Sequence, residues 1–195
     1  MITGSPRRGG NTDILLDRAE KSFNKHALSP KRVILSDMDI LPCRACYRCV
    51  DSGRCVIKDD MHGLYNLLDL SNIIVIASPI FFGSVSAQIK IMADRMQSRW
   101  LNMKQRGEIE KNKKKCGAII LCGARNDEGS FECAEKVIKM MFRVLGIEYC
   151  GSARASGVDE KKDILKKMDV FRGVDAIMEE MVRRGRKDRI TRTKK

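Results

Sequence analysis

Four cysteines fall within thirteen residues, Cys43, Cys46, Cys49 and Cys55, at the spacing C-x2-C-x2-C-x5-C. Thiolates this close along a chain can bend around one inorganic centre and hold iron with sulfide. That chemistry would make the protein an electron carrier. The same residues admit other readings. Zinc accepts four thiolates, but usually as two separated pairs rather than three ligands within seven residues. A redox dithiol, or a cysteine loop that holds no metal, also fits the pattern. Arg44, Arg48 and Arg54 interleave with the thiols. Their charge favours thiolate and would offset the negative charge of a cluster.

A second candidate site opens the chain. Gly4-Ser5-Pro6-Arg7-Arg8-Gly9-Gly10-Asn11-Thr12 runs into a helical pattern. Glycines let backbone N–H groups turn inward, and a helix N-terminus favours an anion. Ser5, Asn11 and Thr12 add side-chain donors, and Arg7 or Arg8 adds charge. The plain alternative is a turn with Asn11 or Thr12 as helix cap. The loop is neither the G-x-G-x-x-G fingerprint nor a P-loop. A third segment, Ser78-Pro79-Ile80-Phe81-Phe82-Gly83-Ser84-Val85-Ser86, could offer backbone groups and apolar cover to a flat heterocycle. It reads equally as a strand-to-helix turn capped by Ser84 or Ser86. Gly123 to Ser130 would form a third wall. His26 and His62 are too isolated to be argued as ligands, His62 belonging on the surface of a short helix after Asp60.

These loops need a frame. Asn72–Ala77 and Cys116–Cys122 are short apolar runs of the kind buried on both faces of a sheet. Lys31–Leu35 and Ile147–Ala153 add two more strands. Apolar residues at helical spacing mark helices over Thr12–Lys25, Ser86–Trp100, Ser130–Leu145 and Asp159–Arg183. Alternating strands and helices predict a parallel sheet with helices on both faces, whose ligands sit beyond the carboxyl ends of the strands. Only three residues precede the first glycine turn, so the first strand is very short or its start is lost. The connection from Ser36 to Asp60 is long enough to be functional. The methionines in the helical stripes read as core filler. Cys116, Cys122, Cys133 and Cys150 read as buried apolar residues.

Composition narrows the partners. The chain has 195 residues and a net charge of +13. Residues 183–195 hold eight Lys or Arg and one Asp, +7 of that total, and leave +6 for the rest. The division expected is a domain over 1–182, with a cysteine-rich insertion at 37–60, and a basic, disordered tail over 183–195. The tail has no aromatic residue to stack on a base, which weighs against nucleic acid. Lys111 to Lys115 reads as an exposed basic loop. No apolar run of about 18 residues is present to cross a membrane, and the first residues lack the apolar segment of a signal peptide. Eight cysteines without that signal point to reduced thiols or metal ligands in the cytoplasm rather than a disulfide framework.

Taken together, the phosphate loop, the cysteine run, Lys58-Asp59-Asp60-Met61, the 78–86 segment, Gln88-Ile89-Lys90 and Asp94-Arg95 resemble the NADPH-dependent FMN reductase-like group of the flavodoxin-like fold. The closer likeness is to its iron–sulfur flavoprotein branch, over residues 3 to about 150. The resemblance implies a five-stranded parallel sheet and one FMN per site. Ser5, Arg7, Gly10, Asn11 and Thr12 would hold the FMN phosphate. Ser78, Pro79, Ile80, Phe81, Phe82, Gly83 and Ser84 would flank the isoalloxazine, with Gly123 nearby. Cys43, Cys46, Cys49 and Cys55 would ligate one [4Fe–4S] cluster that exchanges electrons with FMN. The resemblance further implies a ferredoxin-like donor or NAD(P)H, a small-molecule acceptor, and a homodimer or homotetramer. The alternative is an NAD(P)H-dependent FMN or quinone reductase without a cluster.

Overall fold

A computed structural model describes residues 1–105, 107 and 115–192, with side chains of the final helix described as far as residue 185. In chain order it contains β1 (Ile2–Thr3), α1 (Asn11–Asn24), β2 (Val33–Ile34), α2 (Met61–Leu70), β3 (Ile73–Phe81) and β4 (Ser84–Val85). Then come α3 (Ala87–Arg95), α4 (Gln97–Gln105), β5 (Lys115–Cys122), α5 (Glu128–Val144), β6 (Ile147–Ala155) and α6 (Met168–Arg192). Five strands pair in parallel in the order β2-β1-β3-β5-β6. That is the flavodoxin-like order, with its switch in direction between β1 and β3. The short β4 pairs antiparallel with the end of β3 and makes a sixth strand that the sequence pattern did not announce.

The period of two along the strands builds two cores. On β3, Ile74 and Ile76 enter one cluster, while Val75 and Ala77 enter the other. On β5, Ile119 and Leu121 oppose Ala118, Ile120 and Cys122. Helices α2, α3 and α5 cover the first face, and α1 and α6 the second. Of the methionines expected as filler, Met92, Met96, Met141 and Met181 are buried, and Met61 and Met178 are buried beside them. Met140 and Met168 are exposed. Gly117 lets β5 pass under α5, because a Cβ there would stand 2.5 Å from Ile147 and 2.7 Å from the Phe142 ring.

Several expectations change. The strand expected at 72–77 runs on to Phe81, so the segment read as a loop is a hairpin. The single helix expected over 86–100 breaks at Met96 into α3 and α4. There Tyr65 donates its hydroxyl to the freed Arg95 carbonyl at 2.6 Å, with Ser98 beside it. Helix α6 begins only at Met168, after an irregular stretch and a 3-10 turn. It then continues to Arg192, across the boundary expected at 182/183, where Arg183 and Arg184 pair with Glu180. Cys116 and Cys150 are not free thiols: they form a disulfide between β5 and β6. Cys150 is the extra residue of a bulge, between Tyr149 opposite Gly117 and Gly151 opposite Ala118, which sets it beside its partner's strand. Cys133 is exposed rather than buried. Of the basic cluster at 111–115, residues 111–114 lie outside the described residues. Lys115 begins β5 and caps α2, donating to the Leu68 and Asp69 carbonyls at 2.7 and 2.8 Å.

The α5–β6 contact carries a buried carboxylate. Glu135, 2% exposed, accepts from Ser152, Arg154 and Lys139 at 2.5, 2.6 and 2.6 Å. Burial alone would raise its pKa, but the three donors outweigh it and bring the carboxyl down to about 2. A depressed carboxylate stabilises the fold above its unfolded pKa, and the gain disappears as pH falls through the folded value. Relative to Glu135→Gln, the natural protein should be more stable by about 2 kcal/mol at pH 7, with the partly exposed partners discounted for screening. The difference should vanish between about pH 4 and pH 2 in denaturant melts, and a pH-independent difference would contradict this account.

Candidate functional site

Parallel strands bring every connecting loop of interest to one rim. The glycine loop follows β1, the cysteine loop follows β2, the hairpin ends β3, and two further loops follow β5 and β6. Helix α1 starts at this rim with Gly10 as its N-cap and no side-chain cap. Its first N–H groups therefore remain available to an anion. The loop itself is braced from within. The Ser5 amide donates to Thr3 Oγ1 at 3.1 Å, the Arg7 amide to Ser5 Oγ at 3.3 Å, and the Gly9 amide to Asp13 at 2.9 Å. Gly4 must lack a side chain, since a Cβ would fall 2.4 Å from both Ile89 and Ser86.

A cavity of about 150 Å3 lies over this helix end. Ser5, Arg7, Gly10, Asn11 and Thr12 line it together with Pro79, Ile80 and Phe81, so the two segments singled out in the sequence meet. The residues fit a phosphate with an attached chain: an uncapped helix end, a guanidinium and a wall of apolar backbone. The remaining expected residues stand apart from this cavity. Ser78 is fully buried and staples the hairpin base, donating to the Pro79 carbonyl at 2.8 Å and accepting from the Ser86 amide at 3.0 Å. Ser86, not Ser84, caps α3. Gly123 uses its amide on the Ala155 carbonyl at 2.8 Å and its carbonyl on Val158 at 3.1 Å. Phe82 and Gly83 form the two-residue hairpin turn at φ 48° and 75°, with the Phe82 side chain fully exposed.

The β6 loop is the part of the wall that sequence reasoning missed. Val158, Asp159 and Lys161 line the same cavity, as do Cys122 and Ala124. Asn11 is the strap. Its Nδ2 donates to the Glu160 carbonyl at 2.9 Å and its Oδ1 accepts from the Ile164 amide at 3.2 Å. Its side chain is thus engaged at both ends, and its backbone N–H is what remains for an anion. Arg7 also reaches over, donating to the Asp159 carbonyl at 3.3 Å. It follows a parallel strand and so lies on the rim, but its polar residues carry no motif. Cys122 is a neutral thiol there, pushed up to about 12 by burial despite the nearby Thr12 hydroxyl.

The second centre is a cavity of about 340 Å3 lined by Cys43, Cys46, Cys49 and Cys55, with Arg95 and Ser98 opposite. Ala45 and Tyr47 flank Cys46 in the left-handed region, at φ 49° and 55°. Each such residue costs about 1–2 kcal/mol. The thiols feel one another: burial pushes Cys49 up, and Cys55, Cys43 and Cys46 add to it. Among the described residues, no three His, Cys, Asp or Glu side chains converge as for a single ion. Four cysteines on one cavity are a donor set that suits zinc as well as an iron–sulfur cluster.

The neck of this loop is held by a buried ion pair. The Arg95 and Asp59 side chains are 0% and 2% exposed, and their atoms lie 2.5 and 3.0 Å apart in two contacts. Burial works against the Asp59 charge. The Arg95 guanidinium and the Leu41 and Met61 amides outweigh it and hold the carboxyl below the usual range. Removing one member of such a pair typically costs about 3–5 kcal/mol. Arg8 and Asp37 form a further, exposed ion pair that joins the phosphate loop to the start of the cysteine connection.

Residues 1–159 match a family model described as NADPH-dependent FMN reductase. An iron–sulfur flavoprotein of Methanocaldococcus jannaschii is 30% identical over 125 residues, covering 64% of this chain and 62% of that protein. One of Methanosarcina thermophila is 29% identical over 136 residues, 70% of this chain and 68% of that one. The match to the first relative thus spans less than two thirds of its length. Among solved structures, the NAD(P)H:quinone oxidoreductase from Methanothermobacter marburgensis aligns with a TM-score of 0.69 at 11% identity, over 91% of this chain and 92% of the other. That likeness speaks for the fold.

Phe82 occupies a turn position that favours Asn or Gly, so the chain bears strain beside the cavity. Phe82→Asn should relieve about 1 kcal/mol and raise the Tm of the flavin-free protein by about 2–4 °C. The same change should make added FMN dissociate several-fold faster. An unchanged Tm, or unchanged FMN release, would contradict a strained residue kept for the site.

Proposed function

The chain belongs to the NADPH-dependent FMN reductase family, and on that premise we propose that it is a flavin-dependent oxidoreductase whose cysteine loop carries a [4Fe–4S] cluster. The observation that carries the reading is the four cysteines lining one cavity, on the same rim of the sheet as an uncapped helix end. Curated relatives named as iron–sulfur flavoproteins support it. FMN, when bound, converts between one-electron and two-electron transfer. The chain's own residues position it. The amides at the start of α1, with Ser5, Arg7, Gly10 and Thr12, would hold the phosphate. Pro79, Ile80, Phe81 and the neighbouring Phe82, Gly83 and Ser84 would flank the ring, with Ser78 and Gly123 fixing the walls behind. Asn11, bonded to Glu160 and Ile164, would keep the β6 loop in place over the phosphate end. Cys43, Cys46, Cys49 and Cys55 would ligate the cluster.

The partner surface follows from charge. Arg44, Arg48 and Arg54 are exposed around the thiols, and a cationic patch steers an acidic partner. A ferredoxin-like donor fits that patch, NAD(P)H is the donor its family name implies, and the acceptor would be a small molecule. A homodimer or homotetramer completes the proposal, because it would cover exposed Phe82 and the apolar groove of Trp100, Val137 and Met140. Among the described residues no helix is long and apolar enough to cross a membrane.

Cys46→Ala, isolated without oxygen, should lose its iron and its broad visible cluster absorbance while keeping one FMN per chain. Loss of both chromophores would make the loop a folding element. NADPH-driven turnover untouched by the substitution would favour a reductase that works without a cluster.

A further inference from the structure

Arg95 does more than balance Asp59. Its Nη1 donates to the Leu41 carbonyl at 2.7 Å, and its Nη2 lies 3.5 Å from the Ile57 carbonyl. Leu41 precedes Cys43 and Ile57 follows Cys55, so one guanidinium grips both sides of the loop's neck. Asp59 completes the grip by accepting from the Leu41 amide at 3.0 Å and the Met61 amide at 3.2 Å. Asp39 and Asp60 add a second rung, with the Asp39 amide on Asp60 at 2.8 Å and the Asp60 amide on the Asp39 carbonyl at 3.1 Å. None of these contacts involves a cysteine. Arg95 also lines the cysteine cavity, and its Nε is buried with no partner among the described residues. Cys55 is close enough for a thiolate there to feel the guanidinium charge.

We propose that Arg95 is a positioning residue for the cysteine nest: with Asp59 it closes the neck without metal, and it presents a fixed buried positive charge to the Cys55 side of the cavity. The neck is therefore formed before any cluster enters, and only the thirteen-residue arc between Cys43 and Cys55 adapts to it. A fixed cation beside the ligands favours the more negative state of a bound centre, so it raises the reduction potential. Lysine in its place would keep the charge but lose the planar fork that reaches two carbonyls and a carboxylate together. The effect on potential rests on the cluster reading above. The closure of the neck does not.

Two measurements test this. In natural protein stripped of iron by a chelator, hydrogen exchange should find the Leu41 and Met61 amides slowed at least tenfold relative to the exposed arc amides, such as Arg48. Equal exchange would overturn the metal-free neck. In anaerobic protein, a redox titration read by electron paramagnetic resonance should place the cluster of Arg95→Gln at a lower midpoint potential than the natural protein. Arg95→Lys should recover most of that shift, and FMN content should stay the same in both. Equal potentials in all three proteins would overturn the role of the charge. Should Arg95→Gln fail to fold, Arg95→Lys and the exchange experiment decide: faster Leu41 exchange in Arg95→Lys supports the fork, and unchanged exchange overturns it. Natural protein lacking iron and sulfide refutes the cluster reading and the potential effect together, while the exchange result still judges the neck.

Discussion

Arg95 and Asp59 stand 36 residues apart in sequence and meet with almost no exposure to solvent. Two charges leave water only where geometry and extra hydrogen bonds offset the desolvation. Here the carboxylate also takes two backbone amides, and the guanidinium also takes the Leu41 carbonyl. Those extra bonds fall at the two ends of the cysteine loop. The pair thereby ties the end of α3 to a connection with little regular structure of its own. The cysteine cavity, whose far wall is the α3–α4 junction, depends on that tie. So does the placement of α2, which begins two residues after Asp59.

The phosphate end is organised by a different economy. Backbone donors at the start of α1 are left uncapped, and the surrounding side chains brace the loop instead of filling it. The β6 loop is drawn over the opening by Asn11 and Arg7. Both sites lie at the carboxyl ends of parallel strands, where helix N-termini and loop backbones are free to bind. The proposed pairing of two centres asks for proximity on one rim, and the Arg8–Asp37 contact links the two loops directly.

Much of this was legible in the residues. Continuous apolar runs marked the buried strands, and the helical stripes marked the helices, because burial imposes those periods. The cysteine spacing and the glycine loop stood out as candidate sites through residue type, each with more than one chemistry open to it. What stayed hidden depended on contacts between distant segments. The hairpin at Phe82–Gly83 requires left-handed backbone at a phenylalanine, which propensity argues against. The break at Met96 has no proline or glycine to signal it. The Cys116–Cys150 bond follows from a bulge in β6, a register feature no spacing encodes. Asn11 looked like a ligand because its type suits a phosphate, yet its side chain closes a loop some 150 residues away. Asp59 and Arg95 were both within the matched motifs, but only the fold reveals that they are partners.

The account turns on two centres sharing one rim. Protein isolated and kept under nitrogen, then assayed together for flavin, iron, acid-labile sulfide and zinc, addresses that claim most directly. The expected result is one FMN, about four irons and about four sulfides per chain, with no zinc. Stoichiometric FMN beside cysteines that carry neither iron nor sulfide, or zinc in their place, would contradict it.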